Sequence, residues 1–276
     1  FTTPASLKRM FMWANLRAVL RLLHVLGLII KAVWVVRFQF GPATRLSPLQ
    51  RQNKIHEWAH QVLSALGIQL HTNGPGLIPK SGPLLLLANH VSWLDIILVL
   101  ATIPARFISK AELHHWPILG SMVAGAGTLF IERESNRDVM RVVHQMKDAL
   151  LQNDMLMVFP EGTTSTGETV LPFHGNLIQA AISAACPIQT IALQYLELQE
   201  PVAAAHSSQS SQWQLSQAAP YVGDDTLLGS VWRIAKANSL CAELAFAEPQ
   251  TANGRSRREW AHDLQQQVVG QLAKAD

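Results

Sequence analysis

The feature that most constrains this fold is the alternation that begins after Gly67. Six short apolar runs, at 84–88, 107–109, 128–131, 155–159, 188–196 and 240–246, are mostly separated by amphipathic stretches near 93–101, 137–151, 177–184, 227–237 and 257–272. Continuous apolar runs suit strands buried on both faces, and the helical-period stretches suit helices that cover them. Strand and helix in alternation build a sheet sandwiched between helices. The expected class is therefore α/β, with a largely parallel or mixed sheet flanked by helices and preceded by an N-terminal two-helix segment. The Ala, Ser and Gln-rich stretch 202–219 reads as a surface loop, and no internal repeat is visible.

Ahead of the sheet, residues 16–40 are strongly apolar, but Arg21, His24, Lys31 and Arg37 interrupt them before any uncharged stretch nears the ~18 residues of a spanning helix. At about 100° per residue Arg17, Arg21, His24 and Lys31 share one side, and Leu, Ile, Val and Trp cover most of the rest. This pattern predicts a helix lying in a membrane interface. A linker at 41–48 and a second helix over 49–66, stopped by Gly67 in the C-cap position, complete an expected membrane-associating segment, 1–67, ahead of a 68–276 domain.

Composition supports a lipid partner. Only 15% of the 276 residues are charged and 49% are apolar, where about 25% charged is usual for a soluble protein. Residues 1–60 carry nine Lys or Arg and one acid, Glu57, while the remainder carries thirteen against eighteen. Cations interleaved with long aliphatic stretches, with no nucleic-acid-binding signature, favour a bilayer over nucleic acid. Two cysteines without metal-type spacing fit a reducing compartment. The chain opens at Phe1 without an initiator Met, which limits any argument about a signal peptide.

Chemistry-bearing residues gather at the ends of the predicted strands, where open α/β sheets place their ligand sites. Asn89 and His90 follow the run 84–88, and Asp95 lies five residues beyond His90 on the first turn of the next helix. A carboxylate at one imidazole nitrogen fixes the tautomer and leaves the other as a base. Ser92 and Asp95 also have the spacing of a helix-capping box, so Asp95 is either a cap or a partner of His90, and this segment alone does not choose. Glu161, Gly162 and Thr163 follow the run 155–159 as a second polar loop. Lys110 and Arg133 follow two more strands and can hold an anion or a developing oxyanion.

A competing motif lies on the second helix. His56, Glu57 and His60 spell H-E-x-x-H, which places two imidazoles on one helix face as zinc hydrolases do. Leu63 stands where the longer zinc motif needs glycine, and no third ligand is evident nearby.

Four segments in order resemble the glycerolipid acyltransferase family that includes bacterial lysophosphatidic acid acyltransferases, over about 84–196. They are Asn89, His90 and Asp95 as N-H-x-x-x-x-D; Phe130, Ile131, Glu132 and Arg133; Phe159, Pro160, Glu161 and Gly162 as F-P-E-G; and the proline-led strand 187–192. The resemblance implies one direct transfer, with His90 as general base on an acceptor hydroxyl that attacks an acyl thioester. It implies Asp95 and Lys110 as its catalytic companions, and Asn89, Arg133, Glu161, Gly162 and Thr163 as acceptor-binding residues. It also implies a two-helix membrane clamp on the cytoplasmic face of a bacterial inner membrane. No metal or cofactor is expected, only acyl carrier protein or coenzyme A as donor thioester. The expected acceptor is 1-acyl-sn-glycerol-3-phosphate. However, Thr164 stands where the third motif commonly has arginine, and with the segments 170–173 and 221–224 this is similar to the branch acylating lyso-ornithine lipid. That lipid is the alternative acceptor; a zinc hydrolase and a non-catalytic lipid binder are the alternatives of other classes.

Overall fold

The computed structural model describes residues 4–40, 46–76, 79, 81–110, 128–131, 136–199 and 212–273. In chain order the elements are α1 (Pro4–Gln39), α2 (Pro48–Leu66), β1 (Ile68–Asn73), β2 (Leu84–Ala88), α3 (Leu94–Leu100), β3 (Arg106–Lys110), β4 (Leu129–Ile131), α4 (Asn136–Leu151), β5 (Met155–Val158), α5 (Ile178–Ser183), β6 (Ile188–Gln199), β7 (Gln212–Leu215), α6 (Leu227–Lys236), β8 (Leu240–Phe246) and α7 (Arg257–Leu272). The strands join in the order β1-β8-β6-β2-β5-β3-β4, with β7 paired to β6. From β6 to β4 every pairing is parallel, whereas β8 runs antiparallel to β6 and carries β1 parallel to itself. The sheet is therefore mixed.

Two helical layers enclose it. Leu84, Leu86 and Ala88 of β2 pack in the cluster that holds residues of α1, α2, α3 and α6, while Leu85 and Leu87 pack in the one formed with α4, α5 and α7. Burial on both faces is why β2 is apolar at every position, each leucine contributing about 1.5–3 kcal/mol of transfer free energy. Edge strands lack that signature. β1 is fully buried only at Ile68, and β7, inside the stretch read as a loop, exposes Trp213 and Leu215.

Helix α2 starts at a capping box of Ser47 and Gln50 and ends at Gly67, whose φ of 73° is the left-handed conformation glycine adopts freely. Beside it, α1 leaves Trp13, Leu20, Leu23, Ile30, Trp34 and Phe38 exposed, and the stretch 12–39 is long and apolar enough to cross a membrane by length and composition. Part of its cationic side faces the protein. Arg17 donates to the Lys236 carbonyl and to Asn238, Arg21 donates to the carbonyls of Ala235 and Ala237, and Lys31 reaches Gln61 of α2, while His24 and Arg37 stay exposed. Arg17 and Arg21 thus form a docking surface. Arg17 and Arg21 complement the negative end of α6, and a side-chain carbon added at Gly67 would overlap the Arg21 guanidinium.

Candidate active site

Parallel pairing sets the site. Since β2 and β5 are neighbours running the same way, the loops leaving their C-terminal ends emerge side by side. His90 leaves β2 and Glu161 leaves β5, and the His90 amide donates to Glu161 Oε1 at 3.0 Å. Ser165, at the end of the same loop, donates its amide to the His90 carbonyl at 2.8 Å, so the two loops hold each other.

Asp95 is fully buried at the start of α3. Its Oδ2 lies 2.6 Å from His90 Nδ1 and accepts from the amides of Val91 at 2.8 Å and Ser92 at 3.0 Å. Its Oδ1 accepts from the hydroxyl of Tyr195, on β6, at 2.6 Å. Both readings of Asp95 therefore hold at once: one oxygen satisfies orphan amides at the helix start and orients the imidazole. The cap expected from Ser92 does not form, and among the described residues its hydroxyl has no hydrogen-bond partner. An oxygen already accepting two amide protons is an acceptor for the ring as well, which assigns the imidazole N–H to Nδ1, and among the described residues Nε2 has no hydrogen-bond partner. The ring stacks on Phe159, with centroids 4.0 Å apart and planes 10° from parallel.

Glu161 is buried, and its Oε2 has no hydrogen-bond partner among the described residues. Burial pushes its carboxyl from the ordinary 4.5 up to about 7, against the pull of the His90 and Leu171 amides. A carboxyl raised in this way holds its proton more tightly folded than unfolded. Its contribution to stability is then complete below its ordinary value and lost as pH rises to about 7. Glu161→Gln removes this dependence, so the variant should gain on the wild type by up to about 3 kcal/mol between pH 4.5 and 8. Melting curves of both proteins at several pH values give the difference, and a constant difference would show that burial does not set this carboxyl.

The remaining expected residues divide. Asn89 is buried, and its amide is engaged at both ends with the Leu193 backbone at 2.8 Å each, so it ties β2 to β6 instead of facing an acceptor. The Gly162 amide, expected to approach a ligand, closes a turn onto the Phe159 carbonyl, and the residue supplies a φ of 74°. Thr163 is exposed beside it. Thr164 Oγ1 donates to the Tyr221 carbonyl, and the Tyr221 amide donates to Val91, so 221–224 borders the His90 segment. Lys110 ends β3, but its side chain, and Arg133 entirely, lie outside the described residues. With strands about 4.8 Å apart, β3 and β4 lie roughly 10 and 14 Å from β2. His56 and His60 sit on the exposed side of α2 with rings 4.6 Å apart, and among the described residues no third His, Cys, Asp or Glu donor joins them.

Residues 69–194 match the family model described as Acyltransferase. A lyso-ornithine lipid O-acyltransferase of Pseudomonas aeruginosa is 34% identical over 259 residues, 92% of this chain and 93% of that protein. The chain belongs to the glycerolipid acyltransferase family. A 1-acyl-sn-glycerol-3-phosphate acyltransferase of Neisseria meningitidis is 39% identical to this acyltransferase over 54% of the chain and 58% of that protein. The crystal structure of the 1-acyl-sn-glycerophosphate (LPA) acyltransferase PlsC from Thermotoga maritima shares the fold. Its TM-score is 0.69 at 19% identity, over 96% of this chain and 98% of that one.

Sequence reasoning missed Tyr195 and the stacking role of Phe159 in this acyltransferase. Tyr195 had one signal, a hydroxyl within the apolar run 188–196, and the chain has only two tyrosines. Nothing in sequence spacing joins it to Asp95, 100 residues away.

Proposed function

We propose that this enzyme moves a fatty acyl group from a thioester to the free hydroxyl of a lysolipid at a bilayer surface. The observation that carries the reading is the His90–Asp95 pair, with Nδ1 committed to a buried carboxylate and Nε2 uncommitted, beside an unsatisfied Glu161 oxygen. His90 Nε2 takes the proton of the acceptor hydroxyl while that oxygen attacks the thioester carbonyl carbon. The tetrahedral intermediate collapses with cleavage of the C–S bond, and the imidazolium returns its proton to the departing thiolate. The products are an ester and a free thiol, and no acyl-enzyme forms. General-base assistance of this kind is worth about 10²–10⁴-fold.

Glu161 accepts a hydrogen bond from the acceptor at Oε2. Acyl carrier protein or coenzyme A supplies the thioester. The exposed apolar side of α1 rests on the bilayer, so that acceptor reaches the site without crossing bulk water. Lys110, the last residue of β3, and Arg133, which follows β4 in the sequence, bind the anionic part of the headgroup.

We take lyso-ornithine lipid as the acceptor. Likeness along nearly the full chain to an enzyme of that name supports this, as does Thr164, a neutral residue whose hydroxyl is spent on Tyr221 where a phosphate-binding arginine is expected. Lysophosphatidate is the second reading, favoured by the higher identity, over 54% of the chain, to an enzyme named for that acceptor. Purified enzyme given labelled acyl donor and both lysolipids should acylate lyso-ornithine lipid at least about tenfold faster in kcat/KM, as loss of one charged contact would produce. A preference for lysophosphatidate reverses the assignment.

A further inference from the structure

We infer that Tyr195 is a positioning residue of the acyl-transfer site, the third member of a relay Tyr195–Asp95–His90 that sets the basicity of the imidazole. The inference rests on His90 as the base. Tyr195 lies on β6 with 2% of its surface exposed, and its hydroxyl donates to Asp95 Oδ1 at 2.6 Å, opposite the oxygen that meets His90. The carboxylate therefore has a donor at each oxygen, and its plane is fixed from both sides.

The same strand fixes the other end of the motif. Asn89 exchanges two hydrogen bonds with the backbone of Leu193, two residues before Tyr195. Residues 193 and 195 belong to one extended strand, so β6 holds Asn89 through its backbone and Asp95 through the Tyr195 side chain. A phenol buried against a carboxylate remains protonated. Burial and the Asp95 charge both push Tyr195 well above its usual range, so it is a standing donor throughout the working pH range.

A donor on Oδ1 draws charge from the carboxylate, and the share left for His90 determines how firmly the imidazole holds a proton. Removing the donor leaves Asp95 a stronger partner for the imidazolium, so His90 stays protonated to higher pH. Tyr195→Phe keeps the ring and removes the hydroxyl. It should move the acidic limb of the kcat/KM profile upward by about half a pH unit and lower kcat at neutral pH by up to about threefold, with KM unchanged. A tyrosine that merely filled space would leave the limb in place.

A second measurement covers the case in which Tyr195→Phe folds poorly. The chain has only two tyrosines, Tyr195 and Tyr221. Growth on 3-fluorotyrosine makes the phenol a stronger donor with little change of shape, and should move the limb downward. The Tyr195→Phe chain grown on the same amino acid isolates any effect of Tyr221. Opposite shifts from the two changes support the relay; an unmoved limb in either folded protein overturns it. His90→Ala, assayed alongside, separates the two readings. An active His90→Ala removes the base itself, whereas an inactive one with an unmoved limb in Tyr195→Phe overturns the Tyr195 inference alone.

Discussion

Replacing His90 by alanine is expected to lower kcat by about 10³-fold, within the range general-base catalysis supplies, while folding and membrane binding persist. The imidazole makes one hydrogen bond through its ring, to Asp95, and one stacking contact, to Phe159. The loop around it is held by its backbone, through the His90 amide to Glu161 and the His90 carbonyl to Ser165. The alanine variant retains both, so its melting temperature should stay within a few degrees of the wild type. Initial rates with a labelled acyl donor, beside a thermal melt, give both quantities. Substantial residual turnover in a folded variant would remove His90 as the base.

Asp95 should behave differently, because its carboxylate serves fold and chemistry together. Asp95→Ala leaves the amides of Val91 and Ser92 and the hydroxyl of Tyr195 without their acceptor in a fully buried place. Each orphaned buried group costs about 1–3 kcal/mol, which for a chain of this size lowers the melting temperature by roughly 2–4 °C per kcal/mol. Asp95→Asn keeps the shape but removes the charge: its oxygen keeps the place to which the Val91 and Ser92 amides donate, and its NH2 turns to the Tyr195 hydroxyl, which can accept. The imidazolium formed during transfer then lacks a carboxylate to stabilise it, and activity should fall about 10³–10⁴-fold at a smaller cost in stability. Retained activity in the asparagine variant would mean that Asp95 acts only as a helix cap.

Much of the architecture was legible because burial writes itself into sequence. β2, enclosed on both faces, is five apolar residues without a break, and its bounds agree with the run 84–88. The strands missed, β1 and β7, are those whose side chains largely meet solvent. At the site, His90 and Asp95 were legible because a five-residue spacing is local. The choice between cap and partner was not, since a single oxygen does both. Asn89 looked like a ligand-binding residue until its partner on β6 was seen, and Tyr195 was invisible for the same reason: both bonds cross about 100 residues of chain. The docking of Arg17 and Arg21 was not legible because a helical wheel gives the side on which a charge sits but not what that side meets.

The docking of Arg17 and Arg21 bears on what sort of attachment α1 is. A helix joined to a domain only by a linker is a tether, and the domain at its end samples many heights and tilts. Arg17 and Arg21 make α1 a bracket: their guanidinium groups grip the end of α6, and Trp93, two residues before Asp95, is itself fastened to Ser230 of α6. On the proposed reading, in which the outer side of α1 rests on a bilayer, the bracket carries the imidazole of His90 at a set height above that surface, and the reach of an acyl chain becomes a dimension built into the scaffold.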